Sequence, residues 1–242
     1  MHTSFQQVFS PSYFGLNSIF SLIFPNKCAF CECEILDKRG IVCFGCESRI
    51  NWSTPLAEEV KNQVLQGINL SNVDDVHSLF LFSKNGVEQS IIHRLKYQNS
   101  KQTGVILGKK LALSIKKSNK ELQIDCLIPV PIYHSKKYDR GYNQALSIAK
   151  GISSILNIPT KNNLLRKKRK TKSQTKLSKE DRLKNVENSF VASAEFLNFK
   201  SIGIVDDVIT TGATLGAICK EISSINESIK ITIFTAGVAR LE

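Results

Sequence analysis

The residues best suited to chemistry lie in one stretch, Ile202-Gly203-Ile204-Val205-Asp206-Asp207-Val208-Ile209-Thr210-Thr211-Gly212-Ala213-Thr214-Leu215. Ile202 to Val205 is a short apolar run of the kind buried on both faces of a parallel sheet. Asp206 and Asp207 cannot be core, so they are expected at the strand's carboxyl end, where open α/β sheets bind ligands. Thr210, Thr211, Gly212, Ala213 and Thr214 then turn the chain into a helix expected to start near Ala213. The N–H groups and hydroxyls of such a turn suit a phosphate dianion. Two adjacent carboxylates beside it can accept hydrogen bonds from vicinal hydroxyls or hold a divalent cation. Phosphate plus diol describes a ribose 5-phosphate. The bland alternative is an ordinary strand-to-helix turn with Thr as N-cap, but Asp-Asp followed by Thr-Thr-Gly-Ala-Thr is far more restrictive than a lone glycine-rich loop.

A second chemistry is carried by cysteines. Five of the seven fall between residues 28 and 46. Cys28-x2-Cys31 and Cys43-x2-Cys46 form two knuckles whose spacing lets four thiolates meet around one tetrahedral Zn²⁺. Filled by four cysteines, such a site is closed and structural. Cys33 is left over, and paired x2 spacing in a reducing compartment argues against disulfides. The ribbon either staples a segment too small to make its own core or touches a nucleic acid or protein partner.

A third group is basic. Lys136, Lys137 and Arg140 sit in the loop after Asp125 to Ile132 and before a helix from Asn143 to about Leu156, a second anion site for which pyrophosphate is the natural occupant. Residues 161–184 hold eleven Lys or Arg and two acids, a local +9 out of a net +12. A basic stretch of this kind between sheet elements reads as a lid, a nucleic-acid arm or a solvated loop.

The elements that must position these groups follow from periodicity. Strands are expected at Val76 to Phe82, Asp125 to Ile132, Ile202 to Val205 and Lys230 to Ala236, with a short one ending at Leu164 and Leu165. Helices are expected over Ser48 to Gly67, Val87 to Tyr97, Thr103 to Lys117 and Leu215 to Ser224, and a short helix after Ser178. Alternation of strand and helix gives an α/β fold with a parallel sheet flanked by helices. The expected division is an apolar arm over 1–27, a ribbon module with linker helix over 28–70, and the α/β domain over 71–242. Phe14 to Phe24 is too short to span a bilayer and lacks signal-peptide features, so a cytoplasmic protein with no transmembrane span is expected.

Over the thirteen residues from Ile202 to Thr214 the chain resembles the 5-phosphoribosyl-1-pyrophosphate (PRPP) motif of type I phosphoribosyltransferases. Leu95-Lys96-Tyr97, Pro129-Val130-Pro131 running to Arg140-Gly141-Tyr142-Asn143-Gln144, and Gln174-x2-Leu177-Ser178-x3-Arg182-x2-Asn185-Val186, together with the cysteine knuckles, are similar to the ComF family, associated with DNA uptake in natural transformation. The resemblance implies a type I phosphoribosyltransferase fold, with Asp206 and Asp207 on the ribose hydroxyls and Val208, Thr210, Thr211, Gly212, Ala213 and Thr214 around the 5-phosphate. It implies a pyrophosphate loop at Lys136, Lys137 and Arg140, a flexible loop at Gln174, Arg182 and Asn185, and Mg²⁺ bound with PRPP. If PRPP is consumed, Asp206, Asp207, Arg140 and Lys136 are the expected catalytic groups. Expected partners are single-stranded DNA, with Tyr138, Tyr142 and Phe44 as stacking residues, and competence-machinery proteins. A nucleobase-salvage phosphoribosyltransferase and a non-catalytic PRPP sensor are the alternatives, and no residue identifies an acceptor.

Overall fold

The computed structural model describes residues 26–35, 37, 40–53, 56–68, 70–98, 100–118, 121–133, 141–168 and 189–239. The expected apolar arm up to residue 25 and the short helix after Ser178 lie outside the described residues. In chain order the elements are α1 (Phe44–Glu47), α2 (Glu58–Ile68), β1 (Val73–Phe82), α3 (Val87–Tyr97), α4 (Lys101–Lys117), β2 (Cys126–Pro129), α5 (Gln144–Leu156), β3 (Leu165–Lys167), β4 (Phe190–Ala192), a 3-10 turn (Ala194–Asn198), β5 (Ser201–Ile209), α6 (Ala213–Ser223) and β6 (Lys230–Ala239).

These elements build an α/β fold around a four-stranded sheet of order β1-β6-β5-β2, parallel throughout. Ile202, Ile204, Val205, Ile231, Ile233 and Phe234 are all buried, as strands covered on both faces require. One face is covered by α3, α4 and α5 through Ile91, Leu95, Leu107, Leu111, Ile148 and Ile152. The other is covered by α2, α6 and the antiparallel β3–β4 pair, through Val64, Ile68, Ile218, Ile222 and Phe190. Each fully buried Ile or Leu of this kind contributes roughly 1.5–3 kcal/mol.

β4 and its pairing with β3 are not signalled by the sequence, because a three-residue strand carries almost no period. β2 is shorter than the expected Asp125 to Ile132, since Pro129 and Pro131 cannot donate to a ladder. β5 and β6 are longer than expected, running to Ile209 and Ala239.

The order of connections fixes where loops diverge. β2 pairs with β5 on one side, and on the other Leu127 makes a parallel bridge to Thr160, its N–H donating to Pro159 O at 2.8 Å and its carbonyl accepting from Lys161 N–H at 2.9 Å. From β2 the chain therefore moves outward through α5, whereas from β5 it moves the other way through α6 to β6. The following helices sit on opposite faces. The carboxyl ends of β2 and β5 thus lie at a topological switch point, where ligands bind in sheets of this type.

The cysteine-bearing segment is continuous with the core. Cys28, Ile41, Val42, Cys46 and Ile50 join the cluster on the α3–α4 face. Residues 51–53 then lie antiparallel along the outer edge of β1, with Leu81 N–H donating to Asn51 O at 3.1 Å and Ser53 N–H to Leu79 O at 2.9 Å. That covers an edge strand that would otherwise be open. Among the described residues no helix is long and apolar enough to cross a membrane.

Candidate functional site

Asp206 and Asp207 occupy the part of β5 that outruns its neighbour. The last β2–β5 register pair is Pro129 with Val205, and Val130 N–H donates to Val205 O at 2.9 Å. β6 stays paired through Ile209, so the acids are braced on one side and open on the other. Adjacent strand positions face opposite sides of the sheet. Asp207 meets Lys96 of α3, with Nζ 3.3 Å from its Oδ2. Its Oδ1 accepts from Val208 N–H at 2.7 Å, and Asp206 Oδ1 accepts from Asp207 N–H at 2.8 Å. Desolvation, reinforced by the charge of Asp207, pushes the Asp206 carboxyl up to about 7; the Asp207 N–H, Lys96 and Lys167 of β3 only partly oppose this. Near neutral pH this carboxyl is therefore divided between its acid and its anion.

The turn that follows is built to present backbone. Gly212 is the N-cap of α6 at φ +73, a left-handed conformation that favours glycine. It supplies no side-chain cap, so the ordinary Thr-capped turn is not what forms. The first-turn N–H groups of a helix have no intrahelical partner. Thr211 Oγ1 is buried and finds no hydrogen-bond partner among the described residues. Asp206, Val208, Thr210, Gly212, Ala213 and Thr214 line one small cleft here. The end of α2 backs the turn: a Cβ on Gly67 would stand 3.0 Å from Thr211 O.

Lys136, Lys137 and Arg140 lie outside the described residues, as do Gln174, Arg182, Asn185 and Tyr138. The frame of the first loop is described. Asn143 caps α5, accepting from Leu146 N–H at 3.4 Å, while its side-chain amide donates to Val130 O at 3.0 Å and ties the loop's end to β2. Tyr142 is a correction to the expected stacking set. It is buried, and its hydroxyl donates to Leu95 O and, at 3.1 Å, to Ser100 O, so its ring is unavailable to a base. Phe44 is 89% exposed on α1.

Lys96 is the residue that sequence reasoning left without a role. A lysine in the last turn of a helix reads as a favourable charge at the dipole's negative end, and nothing in its neighbours signals an acid 111 positions later.

The cysteines gather more thiols than the spacing requires. The Sγ atoms of Cys28, Cys31, Cys33 and Cys43 all lie within 4.8 Å of one another, with Cys31–Cys33 at 3.3 Å and Cys31–Cys43 at 3.6 Å. Four sulfurs around Zn²⁺ would stand about 3.8 Å apart for a Zn–S bond of about 2.3 Å, so the set fits a metal ion. Cys46, the expected fourth ligand, is buried with its thiol against Cys28, Cys31 and Cys43. Five thiols therefore meet where four are needed. Burial alone would raise the Cys28 thiol, yet the N–H groups of Cys31, Cys43 and Phe30 directed at its sulfur hold it at about 6. Hydrogen bonds to Cys31 and Cys43 push Cys33 up to about 12.

No family model matches the chain. It is 38% identical over 136 residues to competence protein F of Haemophilus influenzae, a match covering 54% of this chain and 59% of that protein. It is 29% identical over 133 residues to the DNA utilization protein YhgH of Escherichia coli O157:H7, covering 54% and 58%. The YhgH of Salmonella typhimurium is 26% identical over the same length and shares. The match thus spans somewhat over half the length of each of these relatives. The cysteine cluster, the acid pair and its turn thus stand in a chain that is similar, over about half its length, to competence protein F and to the YhgH DNA utilization proteins.

Proposed function

We propose that this chain is a PRPP-binding, cytoplasmic protein of type I phosphoribosyltransferase-like fold that acts in DNA uptake and contacts single-stranded DNA. The observation that carries the PRPP reading is the acid pair on the open end of β5, followed directly by the backbone-presenting turn into α6. In this reading the 5-phosphate takes the N–H groups and hydroxyls of Thr210 to Thr214, including Thr211 Oγ1, which has no hydrogen-bond partner among the described residues. The ribose hydroxyls donate to Asp206 and Asp207, and Lys136, Lys137 and Arg140 take the pyrophosphate. Gln174, Arg182 and Asn185 are read as the flexible loop that the family resemblance implies.

The same arrangement favours loss of pyrophosphate. When the bond from C1 to the pyrophosphate oxygen breaks, its electron pair leaves with pyrophosphate and positive charge grows on the ribose ring. Carboxylates at the hydroxyl edge and cations at the leaving group match that separation. Asp207 is already paired with Lys96 and Asp206 holds a proton for part of the time near neutrality, so the pair is no ready-made cation cage. Magnesium fits better as a counter-charge brought in on PRPP. Calorimetry with magnesium and PRPP should show wild-type binding, and Asp206→Ala with Asp207→Ala should weaken it at least about 100-fold, as expected when two charge-assisted contacts are lost. Unchanged affinity would refute the assignment.

For the ribbon, the cysteine cluster is read as a structural zinc site held by Cys28, Cys31 and Cys43, with Cys33 or Cys46 completing four. Bound there, zinc would lock the segment that packs on α3 and β1. Cys28→Ser should lower zinc per chain well below one and lower the melting temperature; full zinc content would count against it.

The DNA part rests on the names of the two groups of relatives, the basic run over 161–184 and the exposed Phe44. Contact with phosphates releases counterions, so a gel shift with single-stranded DNA should weaken about 300-fold between 50 and 200 mM salt if about six contacts form. A shift that ignores salt, or none at all, would remove single-stranded DNA as a partner.

A further inference from the structure

Lys96 stands at the acid pair, and the fold goes to some length to hold it there. Its side chain and that of Asp207 are 26% and 16% exposed, drier than the surface pairs that contribute little. Lys96 is delivered by the last turn of α3, and that turn is gripped from two sides. Arg94 donates to Lys27 O at 2.6 Å, Ile41 O at 3.3 Å and Asn26 Oδ1 at 3.1 Å, which fastens it to the cysteine-bearing segment. The Tyr142 hydroxyl, at the far end of the basic loop, fastens Leu95 and Ser100. A favourable helix-end charge needs neither grip. The charged groups around the two carboxylates come from different elements: Lys96 from α3, Lys167 from β3, and each acid from its neighbour on β5. The Thr235 hydroxyl of β6 donates to Asp207 O at 3.0 Å and fixes the backbone beneath.

Resting on the ribose-phosphate reading above, we propose that Lys96 is a positioning residue of that site. Its ammonium fixes the direction of the Asp207 carboxylate and offsets the repulsion between the two acids. Val208 N–H and Lys96 each occupy one oxygen of Asp207. A carboxylate oxygen has two lone pairs, so each oxygen keeps one with which to accept a ribose hydroxyl. Lys96 thus acts through Asp207 and not on the 5-phosphate. Arg94 and Tyr142 together hold the turn that carries this side chain.

Calorimetry of the full chain with magnesium plus PRPP, and separately with ribose 5-phosphate, tests this. Lys96→Met should weaken both ligands by a similar factor, about tenfold or more, the scale of coupling between contacting residues. Lys96→Arg, which keeps the charge, should stay within about threefold of wild type. Added to Asp207→Asn, Lys96→Met should cost little more than Asp207→Asn alone, because the two act as one unit. A merely structural ion pair would lower the melting temperature of Lys96→Met without this non-additivity, and Lys96→Gln provides the same reading if the Met variant does not fold. The proposal is overturned if Lys96→Met binds like wild type, if the two substitutions multiply in full, or if only PRPP is weakened, which would move Lys96 to the pyrophosphate. If wild type binds neither ligand, the ribose-phosphate reading falls and this proposal with it.

Discussion

β2 stops early, and the rest of the site depends on it. Pro129 and Pro131 end its ladder, and β5 continues for four residues past the last register pair, Pro129 with Val205. A strand paired on one side only has carbonyls, N–H groups and side chains facing an opening. Asp206 and Asp207 fall in that overhang, so they are desolvated enough to interact strongly and open enough to meet a ligand. Had β2 run on beside them, two adjacent acids would have been interred in a parallel sheet, at a cost no neighbouring group could offset.

The overhang also explains why groups remote in sequence converge. Charges of like sign on neighbouring residues need a counter-charge, and Lys96 is the ammonium seated against them. Its helix is held by Arg94 against the cysteine-bearing segment and by Tyr142 at the end of the loop after β2. The ribbon is thereby connected to the sheet edge by hydrogen bonds rather than tethered by a linker alone. On the opposite face, the end of α2 lies against the Thr211–Gly212 backbone and backs the turn that presents its N–H groups.

Much of this was legible from sequence where the signal is local. The helix Val87 to Tyr97 matches residue for residue, and the start of α6 at Ala213 follows from Gly212 and the small residues around it. The acid pair and its turn were found because strand, acids, turn and helix are contiguous. The cysteine cluster was found from its x2 spacing, yet spacing could not place Cys33, which returns to the cluster because Glu32 adopts a left-handed conformation at φ 59. What stayed hidden is non-local. Lys96 meets Asp207 only because β1, β6 and β5 place α3 over the strand's end. Tyr142 looks in sequence like an exposed loop aromatic, and only the fold turns its hydroxyl toward Leu95 O of α3's last turn as a buried clamp.

The most direct test of the central claim is where PRPP lands. Hydrogen–deuterium exchange on the full chain, with and without magnesium and PRPP, reports the protection of individual segments. The account predicts slowed exchange over residues 204–216, spanning the acid pair and the first turn of α6, together with the loop that follows β2. Protection confined to other segments, or none at saturating PRPP, would contradict it.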